Sequence, residues 1–210
     1  MNIRKYILIS TFLGSLCSMT SAETFYVGGG GGKTTIDTGV TTGTASLDED
    51  DAGFKIFGGV VLSQFFSVEY FYNYYGEATL SGNNGQTFTI DGTQYQFSVD
   101  NAEIKGESWA TGFTPIISYP IPINNGGSIE SISPFAKFGI HYWEVDYTIS
   151  AGSATYAAAT YDGWDYLWGL GAQINFNFNG LKLGFRGEYE STQVDDGDLD
   201  IISGSMLVRF

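Results

Sequence analysis

The sequence has little of several things that soluble domains use, and each scarcity excludes a class of protein. Among its 210 residues the single cysteine is Cys17, so a disulfide framework and a cysteine-rich metal site are excluded. Charged residues make up 15%, against about 25% in an ordinary soluble domain. Lys and Arg number 9 against 23 Asp and Glu, a net charge of −14. That balance argues against a nucleic-acid binder, which needs clustered basic residues.

Long apolar runs are also missing beyond the N-terminus. Past residue 22 the longest unbroken run of apolar residues and glycine is 25–32, whereas a membrane helix needs about 20 residues. The chain is therefore not expected to be a helical membrane protein. Closed barrels are the other structures that cross a bilayer, because they too satisfy all backbone hydrogen bonds internally.

The N-terminus has the three parts of a secretory signal peptide. They are the basic Arg4 and Lys5, the apolar stretch 6–16 and the small residues of Thr20-Ser21-Ala22. We predict cleavage between Ala22 and Glu23, which divides the chain into a signal peptide, 1–22, and one domain, 23–210. A lipoprotein acylated at Cys17 is the alternative, but Leu16 stands where that pathway requires a small residue.

Apolar residues that recur at every second position are the main structural signal. In residues 164–178 the apolar positions are Trp164, Tyr166, Trp168, Leu170, Ala172, Ile174, Phe176 and Phe178. Period two over this length predicts a β-strand. Seven further strands are predicted at 24–32, 54–62, 68–75, 109–119, 134–142, 181–189 and 202–210. Pro115 lies inside 109–119, which favours an edge or bulge position for that strand.

The connections alternate in character. Polar connections are predicted at 33–52, 77–107, 148–162 and 191–200. Tight turns are predicted near Ser63-Gln64 and Asn179-Gly180, with 120–133 as a longer exception. Long loops on one side and short turns on the other are the layout of outer-membrane barrels. The prediction is an all-β fold, an eight-stranded antiparallel up-and-down transmembrane β-barrel.

Residues 86–99 leave an alternative of ten strands. They alternate around Asp91-Gly92, a hairpin turn signal, and we predict a hairpin that stands above the membrane. Two additional membrane strands are the other interpretation. The first arm has only about five residues, whereas a membrane strand needs about 9 to 11.

The polar faces of the predicted strands favour a barrel with its apolar side toward lipid. These faces carry glycine and a mixed-sign set of charges that we expect to neutralise one another inside a narrow barrel. The set is Lys55, Glu69, Lys137, Lys182, Arg186 and Glu188. Aromatic residues crowd the ends of the apolar face, as in the girdles of outer-membrane proteins. An eight-stranded interior is just wide enough for side chains, so no free conduction is expected.

Several segments resemble a known family. The ending Gly204-Ser205-Met206-Leu207-Val208-Arg209-Phe210 resembles the terminal strand of Gram-negative outer-membrane proteins. Stretches 54–59, 68–74 and 134–139 resemble small barrels of the OmpA/OmpX/opacity type. This resemblance implies that Phe210 is the signal read by the barrel-assembly machinery and that the protein acts in adhesion or as a surface antigen. The connection at 120–133 departs from the family's short inner turns.

Three motifs invite a chemical interpretation, and none is complete. Residues 27–34, VGGGGGKT, approach a phosphate-binding loop, but no helix is predicted to follow them. His141 is the single histidine, and Trp143 stands where a nearby serine would support lipid deacylation. The acidic runs 48–51 and 195–200 suggest weak calcium binding, but an EF-hand loop counted from Asp196 would end on Leu207 instead of a carboxylate.

The sequence therefore predicts an integral, non-enzymatic outer-membrane protein of a Gram-negative cell, without cofactor or metal. It predicts a surface-antigen, adhesin-like or envelope-structural role through acidic outer loops. A small pore and a lipid A-modifying enzyme that uses His141 are the rival functions. Expected partners are outer-membrane lipid, lipopolysaccharide, the barrel-assembly machinery and a host-surface ligand.

Overall fold

The computed structural model describes residues 24–123, 128–194 and 197–210. Its strands are β1 (Thr24–Ile36), β2 (Val40–Thr42), β3 (Ser46–Asp48), β4 (Asp50–Ser63), β5 (Phe66–Gly82), β6 (Thr87–Ile90), β7 (Thr93–Gln96), β8 (Ala102–Ser118), β9 (Ile121–Pro122), β10 (Ile129–Ala151), β11 (Ala154–Phe178), β12 (Leu181–Val194) and β13 (Gly197–Arg209). The predicted cleavage residues Ala22 and Glu23 lie outside the described residues. In the described ranges no helix has the length and apolar character needed to span a bilayer.

Eight long antiparallel strands close into a ring. Each pairs with its neighbours in the order β1, β4, β5, β8, β10, β11, β12 and β13, and β13 returns to β1. The closing ladder runs from Tyr26 opposite Arg209 to Ile36 opposite Leu199. The prediction of an eight-stranded up-and-down barrel is confirmed. We call the end with both termini of the barrel the inner end and the opposite end the outer end.

The hairpin at 86–99 stands outside the ring. Strands β6 and β7 pair with β2 in a separate three-stranded sheet at the outer end. Asp91 and Gly92 have positive φ angles of 50° and 75°, which suit a two-residue hairpin turn. The ten-strand alternative is therefore not observed in the ring. Two short strands extend the main sheet, β3 beside β5 and β9 beside β10.

All four polar connections predicted as loops are largely strand, and two of them show this most clearly. The predicted connection 148–162 belongs to β10 and β11, which pair from Tyr142 opposite Trp164 to Ala151 opposite Ala154. Strands β5 and β8 likewise run well into the predicted connection 77–107. These segments are too polar and alanine-rich to show the apolar period. Their strand structure comes from backbone ladders with neighbours, which the local pattern does not reveal.

Pro115 lies within the ring and not at an edge. It pairs with Val68 of β5, and its exposed ring faces outward. On the other side the ladder to β10 is interrupted, since pairing passes from Lys137–Ile116 to Ile140–Phe113. Proline has no N–H to donate, so a local gap in one ladder accommodates it without a bulge in that pair.

The outer wall is apolar and carries a belt of aromatic rings near the outer end. Rings on β4, β5, β8, β10 and β11 contact one another in sequence, with centroid distances of 5.3 to 5.8 Å. The belt comprises Phe54, Tyr74, Tyr72, Trp109, Tyr142 and Trp164, Phe54 also lying near Tyr72. Such belts mark the interface between hydrocarbon and headgroups. The strands beyond it stand outside the membrane.

Two apolar clusters pack inside the barrel. Toward the outer end, a cluster closes the interior and includes Tyr75, Trp143 and Ile201. A second cluster, with Phe57, Phe71 and Leu167, lies deeper. The polar network described next lies among these side chains.

Candidate functional site

A network of buried charges occupies the barrel interior. Its cations are Lys55 on β4, Lys137 on β10 and Arg186 on β12; its anions are Glu69 on β5 and Glu188 and Glu190 on β12. Alternate residues of a strand share one face, so Arg186, Glu188 and Glu190 all face inward. We call these six residues the interior network.

Short contacts join the interior network across the barrel. Lys55 Nζ lies 2.8 Å from Glu188 Oε1 and 3.0 Å from Glu190 Oε2. Lys137 Nζ lies 2.8 Å from Glu188 Oε2 and also contacts Glu190. Arg186 Nη1 lies 2.7 Å from Glu69 Oε2. Three positive and three negative groups balance, which is the condition for burying charges without a large desolvation cost.

Neutral groups add hydrogen bonds to the network, although Glu69 Oε1 accepts none from the described residues. Tyr26 OH donates to Glu69 at 3.2 Å, and Asn73 donates to Glu190. The Arg186 guanidinium lies over the rings of Phe57 and Phe135, with its carbon 4.7 and 5.0 Å from the centroids. Lys55 Nζ likewise lies 5.7 Å from the ring centroids of both Phe57 and Phe71. The network thus joins β12 to β5 across the barrel.

Of the six charges predicted for the interior, five lie in this network and Lys182 does not. Lys182 is exposed at the inner end, directly after the Asn179-Gly180 turn and opposite Arg209. Its strand position faces inward, but there the barrel opens to solvent. Glu190 was missed because the predicted strand stopped at residue 189. The signal that would have found Glu190 is the same alternation, which continues to the next inward-facing residue, two residues beyond Glu188.

His141 also faces the interior and is fully buried. It lies opposite Gly112 on β8 and Asp165 on β11. Among the described residues neither ring nitrogen has a hydrogen-bond partner, and Asp165 accepts from Trp143 Nε1 at 3.0 Å. A histidine on the inner face is separated from membrane lipid by the strand itself.

The outer end is strongly acidic. In the described ranges its acidic residues are Asp37, Asp48, Glu49, Asp50, Asp51, Glu77, Asp91, Asp100, Glu103, Glu107, Glu144, Asp146, Asp162, Asp198 and Asp200. Its described cations are Lys33, 2.7 Å from Asp50, and Lys105, 3.0 Å from Glu77. The hydrogen bond from Lys33 lowers the pKa of Asp50, and the one to Glu77 raises the pKa of Lys105. In the described part of this end, fifteen acids therefore stand against two lysines.

The wall of β5, β8, β10 and β11 rises above the aromatic belt as a sheet. One of its edges is covered by β3. At the other edge β12 meets β11 only from Leu167 opposite Thr192 downward. Within the part of the chain that the structure describes, no strand pairs with residues 154–166 on that side. We call this segment the free edge.

The remaining sequence motifs are placed as follows. The glycine run at 27–34 lies inside β1, with no helix after it, so the phosphate-loop geometry is absent there. No group of three or more potential metal ligands is found among the described residues, which exclude 195 and 196. Phe210 is 74% exposed beside the last strand, and its N–H donates to the Phe25 carbonyl at 2.8 Å.

Comparison with known proteins gives the same architecture. The family model for the outer membrane protein beta-barrel domain matches residues 8–210. No curated protein matches the sequence. Two crystal structures of Ail, the attachment invasion locus protein of Yersinia pestis, are 13% and 14% identical with TM-scores of 0.51 and 0.50. They cover 90% and 91% of this chain and 100% of Ail, and one contains the heparin analogue sucrose octasulfate.

The N-terminal β-barrel domain of Pseudomonas aeruginosa OprF is 10% identical, with a TM-score of 0.46, covering 90% of this chain and 97% of that domain. At these identities the likeness concerns the fold. The family model, in contrast, spans nearly the whole sequence and agrees with the closed eight-stranded ring. The chain is thus an integral outer-membrane protein and belongs to the outer membrane protein beta-barrel domain family.

Proposed function

We propose that the protein is a non-enzymatic surface-recognition protein, adhesin-like in action, whose outer end binds a basic, extended polypeptide segment. The observation that carries this proposal is the free edge. An unpaired strand edge presents a row of backbone N–H and C=O groups that another extended chain can complete as a ladder.

Apart from the acidic Asp162 and Asp165, the free edge lacks the usual protection against pairing. Proteins blunt exposed edges with lysine, proline, bulges or a covering segment. The opposite edge of the same sheet has such a cover in β3, whereas residues 154–166 contain neither lysine nor proline. Both faces of the segment are solvent-exposed over residues 154–162, so an incoming strand meets no steric barrier.

The charges near the free edge favour a basic partner. Asp162 lies on the edge itself, and its cross-strand partner on β10 is Glu144; Asp146 lies two residues further along β10. Ail was crystallised with a sulfated sugar, a polyanion. An acidic edge repels such a ligand, so we expect this protein to differ from Ail in the sign of the ligand's charge.

A designed peptide tests this proposal. The probe is a ten-residue peptide of alternating Thr and Lys, and its control has proline at alternate positions, which cannot form a ladder. We expect the intact barrel in nanodiscs to bind the probe and not the control by biolayer interferometry. Equal binding of both peptides would show simple charge attraction and overturn the proposal, as would binding of neither.

Two adjacent variants locate the contact. Successive N–H groups of a strand point to opposite sides, so one of Ala157→Pro and Ala158→Pro removes a donor on the free side only. That variant should weaken probe binding at least about tenfold, the effect of losing ladder hydrogen bonds. A barrel lacking 86–99 loses β6 and β7 of the separate three-stranded sheet. It should bind the probe as the intact protein does.

The interior supports a non-enzymatic function without conduction. His141 faces the buried interior, where lipid A acyl chains have no access. The interior network and the cluster around Trp143 occupy the lumen that a pore would need. We further infer that the barrel wall contacts outer-membrane lipid and lipopolysaccharide, and that the barrel-assembly machinery recognises the terminal strand through Phe210.

A further inference from the structure

A cavity of about 240 Å³ with a mixed polar and apolar lining opens at the inner end of the barrel, below the interior network. Two arginines line it: Arg186 toward the network and Arg209 on the terminal strand. Between them lie hydroxyl and amide side chains, including Ser131, Ser133 and Asn175. Among the described residues, no carboxylate lines this cavity. It is therefore a donor-rich space with a positive character.

Two amide acceptors that face this cavity are already used by neighbouring side chains. Gln173 Oε1 accepts from Arg186 Nε at 3.2 Å, and Asn175 Oδ1 accepts from Gln173 Nε2 at 2.6 Å. Asn175 Nδ2 in turn donates to the hydroxyl oxygens of Ser131 at 2.9 Å and Ser133 at 3.1 Å. Because both serine oxygens accept here, their own O–H groups remain available as donors.

Arg209 carries a positive charge that the interior network does not neutralise. The network balances three cations with three anions, so Arg186 is already paired with Glu69. Arg209 has no ion-pair partner among the described residues, and its Nε is buried without a hydrogen-bond acceptor. The carboxylate of Glu130 interacts electrostatically with Arg209 but forms no ion pair with it. It is exposed, and it accepts a hydrogen bond from Asn177 at 2.9 Å. Arg209 is partly exposed, but its Nε–H is a buried donor with no acceptor among the described residues, which favours an anion as its partner.

We propose that this inner cavity is a binding site for a small oxyanion, a phosphate or carboxylate group, held by Arg209 and the hydroxyls of Ser131 and Ser133. A guanidinium and neighbouring hydroxyls match the planar and tetrahedral geometry of such groups. Drug-sized ligands occupy about 300 to 1,000 Å³, so a smaller cavity accepts an inorganic anion or the charged group of a small molecule. The anion reaches it from the periplasmic side, either free in solution or as a lipid headgroup.

NMR of arginine side chains tests the site with inorganic phosphate as the probe. We expect the Nε–H resonance of Arg209, in protein labelled with ¹⁵N and held in zwitterionic micelles, to shift saturably as phosphate replaces chloride at constant ionic strength. A parallel sample in nanodiscs of phosphatidylglycerol or phosphatidylcholine distinguishes the source. A shift that is confined to the phosphatidylglycerol sample assigns the site to a lipid headgroup and keeps the proposal.

A pair of variants separates a built site from general attraction. Arg209→Gln and Lys182→Gln remove the same charge from neighbouring positions, since the two residues are cross-strand partners. We expect Arg209→Gln to weaken phosphate binding by about tenfold or more, the effect of losing hydrogen bonds to a charged group, and Lys182→Gln to change it less than about twofold. Binding in the Arg209→Gln protein is followed by the shift of Arg186 Nε–H.

Assembly of each variant is checked first by its heat-modifiable gel mobility. If Arg209→Gln does not assemble, Ser133→Ala removes one hydroxyl donor at nearly constant volume and should weaken binding several-fold. The proposal is overturned if neither phosphate nor phosphatidylglycerol shifts Arg209 saturably, or if the Lys182 and Arg209 variants lose binding equally. Peptide binding at the outer end is independent of these results, so this site and the proposed function fail separately.

Discussion

Replacement of Glu188 by glutamine tests whether the interior network fixes the barrel. Glu188 lies 2.8 Å from both Lys55 and Lys137, and its side chain has no solvent exposure. Its loss leaves three buried cations against two anions. Removing one partner of a buried ion pair costs about 3 to 5 kcal/mol, because an uncompensated charge remains buried. We expect Glu188→Gln to lower the free energy of unfolding by that amount.

The measurement is reversible urea unfolding in micelles, followed by tryptophan fluorescence. Addition of Lys137→Gln restores two cations and two anions, namely Lys55 with Glu190 and Arg186 with Glu69. The double variant should therefore be less destabilised than the sum of the two single variants. Strict additivity would contradict the role of charge balance.

The exposed pair Lys33–Asp50 provides a matched control for that experiment. Its side chains are 64% and 49% exposed, so solvent screens the interaction. Asp50→Asn should therefore change the free energy of unfolding far less than Glu188→Gln does. If Glu188→Gln costs as little as Asp50→Asn, the reasoning from burial is wrong.

Three further predictions concern the closing ladder between β1 and β13, the histidine His141 and ion conduction. A Cβ at Gly30 would lie 2.1 Å from the Gly204 carbonyl oxygen, whereas one at Gly31 meets only the Gly53 carbonyl at 3.1 Å. Gly30→Ala should destabilise by about 1 to 3 kcal/mol or prevent assembly, and Gly31→Ala should assemble normally by gel mobility. His141→Ala should leave the lipid A mass spectrum unchanged in cells that assemble it; an altered spectrum would favour an enzyme. Planar-bilayer recordings of the purified protein should show no stable unitary steps, and their presence would favour a pore.

Sequence periodicity was sufficient for the part of the barrel that lies in lipid. Residues 164–178 alternate so regularly because successive side chains point in turn to hydrocarbon and to the barrel interior. The alternation of inward and outward positions along each strand also predicted which charges face inward. Five of the six chosen side chains lie in the interior network, and Lys182 differs because this alternation says nothing about where the barrel opens.

Above the membrane the same method fails, since water surrounds both faces of a strand. Residues 154–162 carry no apolar alternation, yet they form β11 by pairing with β10. Strand lengths around the ring decide how each edge of the outer sheet is covered. Among the described residues, β3 covers the edge at β5, and no strand covers the free edge on β11. No local pattern contains that information.

The sequence by itself determined the class, the preferred number of eight strands, most of the inward charges and the acidic outer end, because lipid imposes a two-residue period and charged residues stay in the loops. The tertiary structure alone decided which charges meet. Lys55, Lys137 and Glu188 come together from three strands far apart in sequence. It also decided that, among the described residues, Arg209 has no ion-pair partner and no strand pairs with the free edge, since closure of the ring sets both neighbours of every strand.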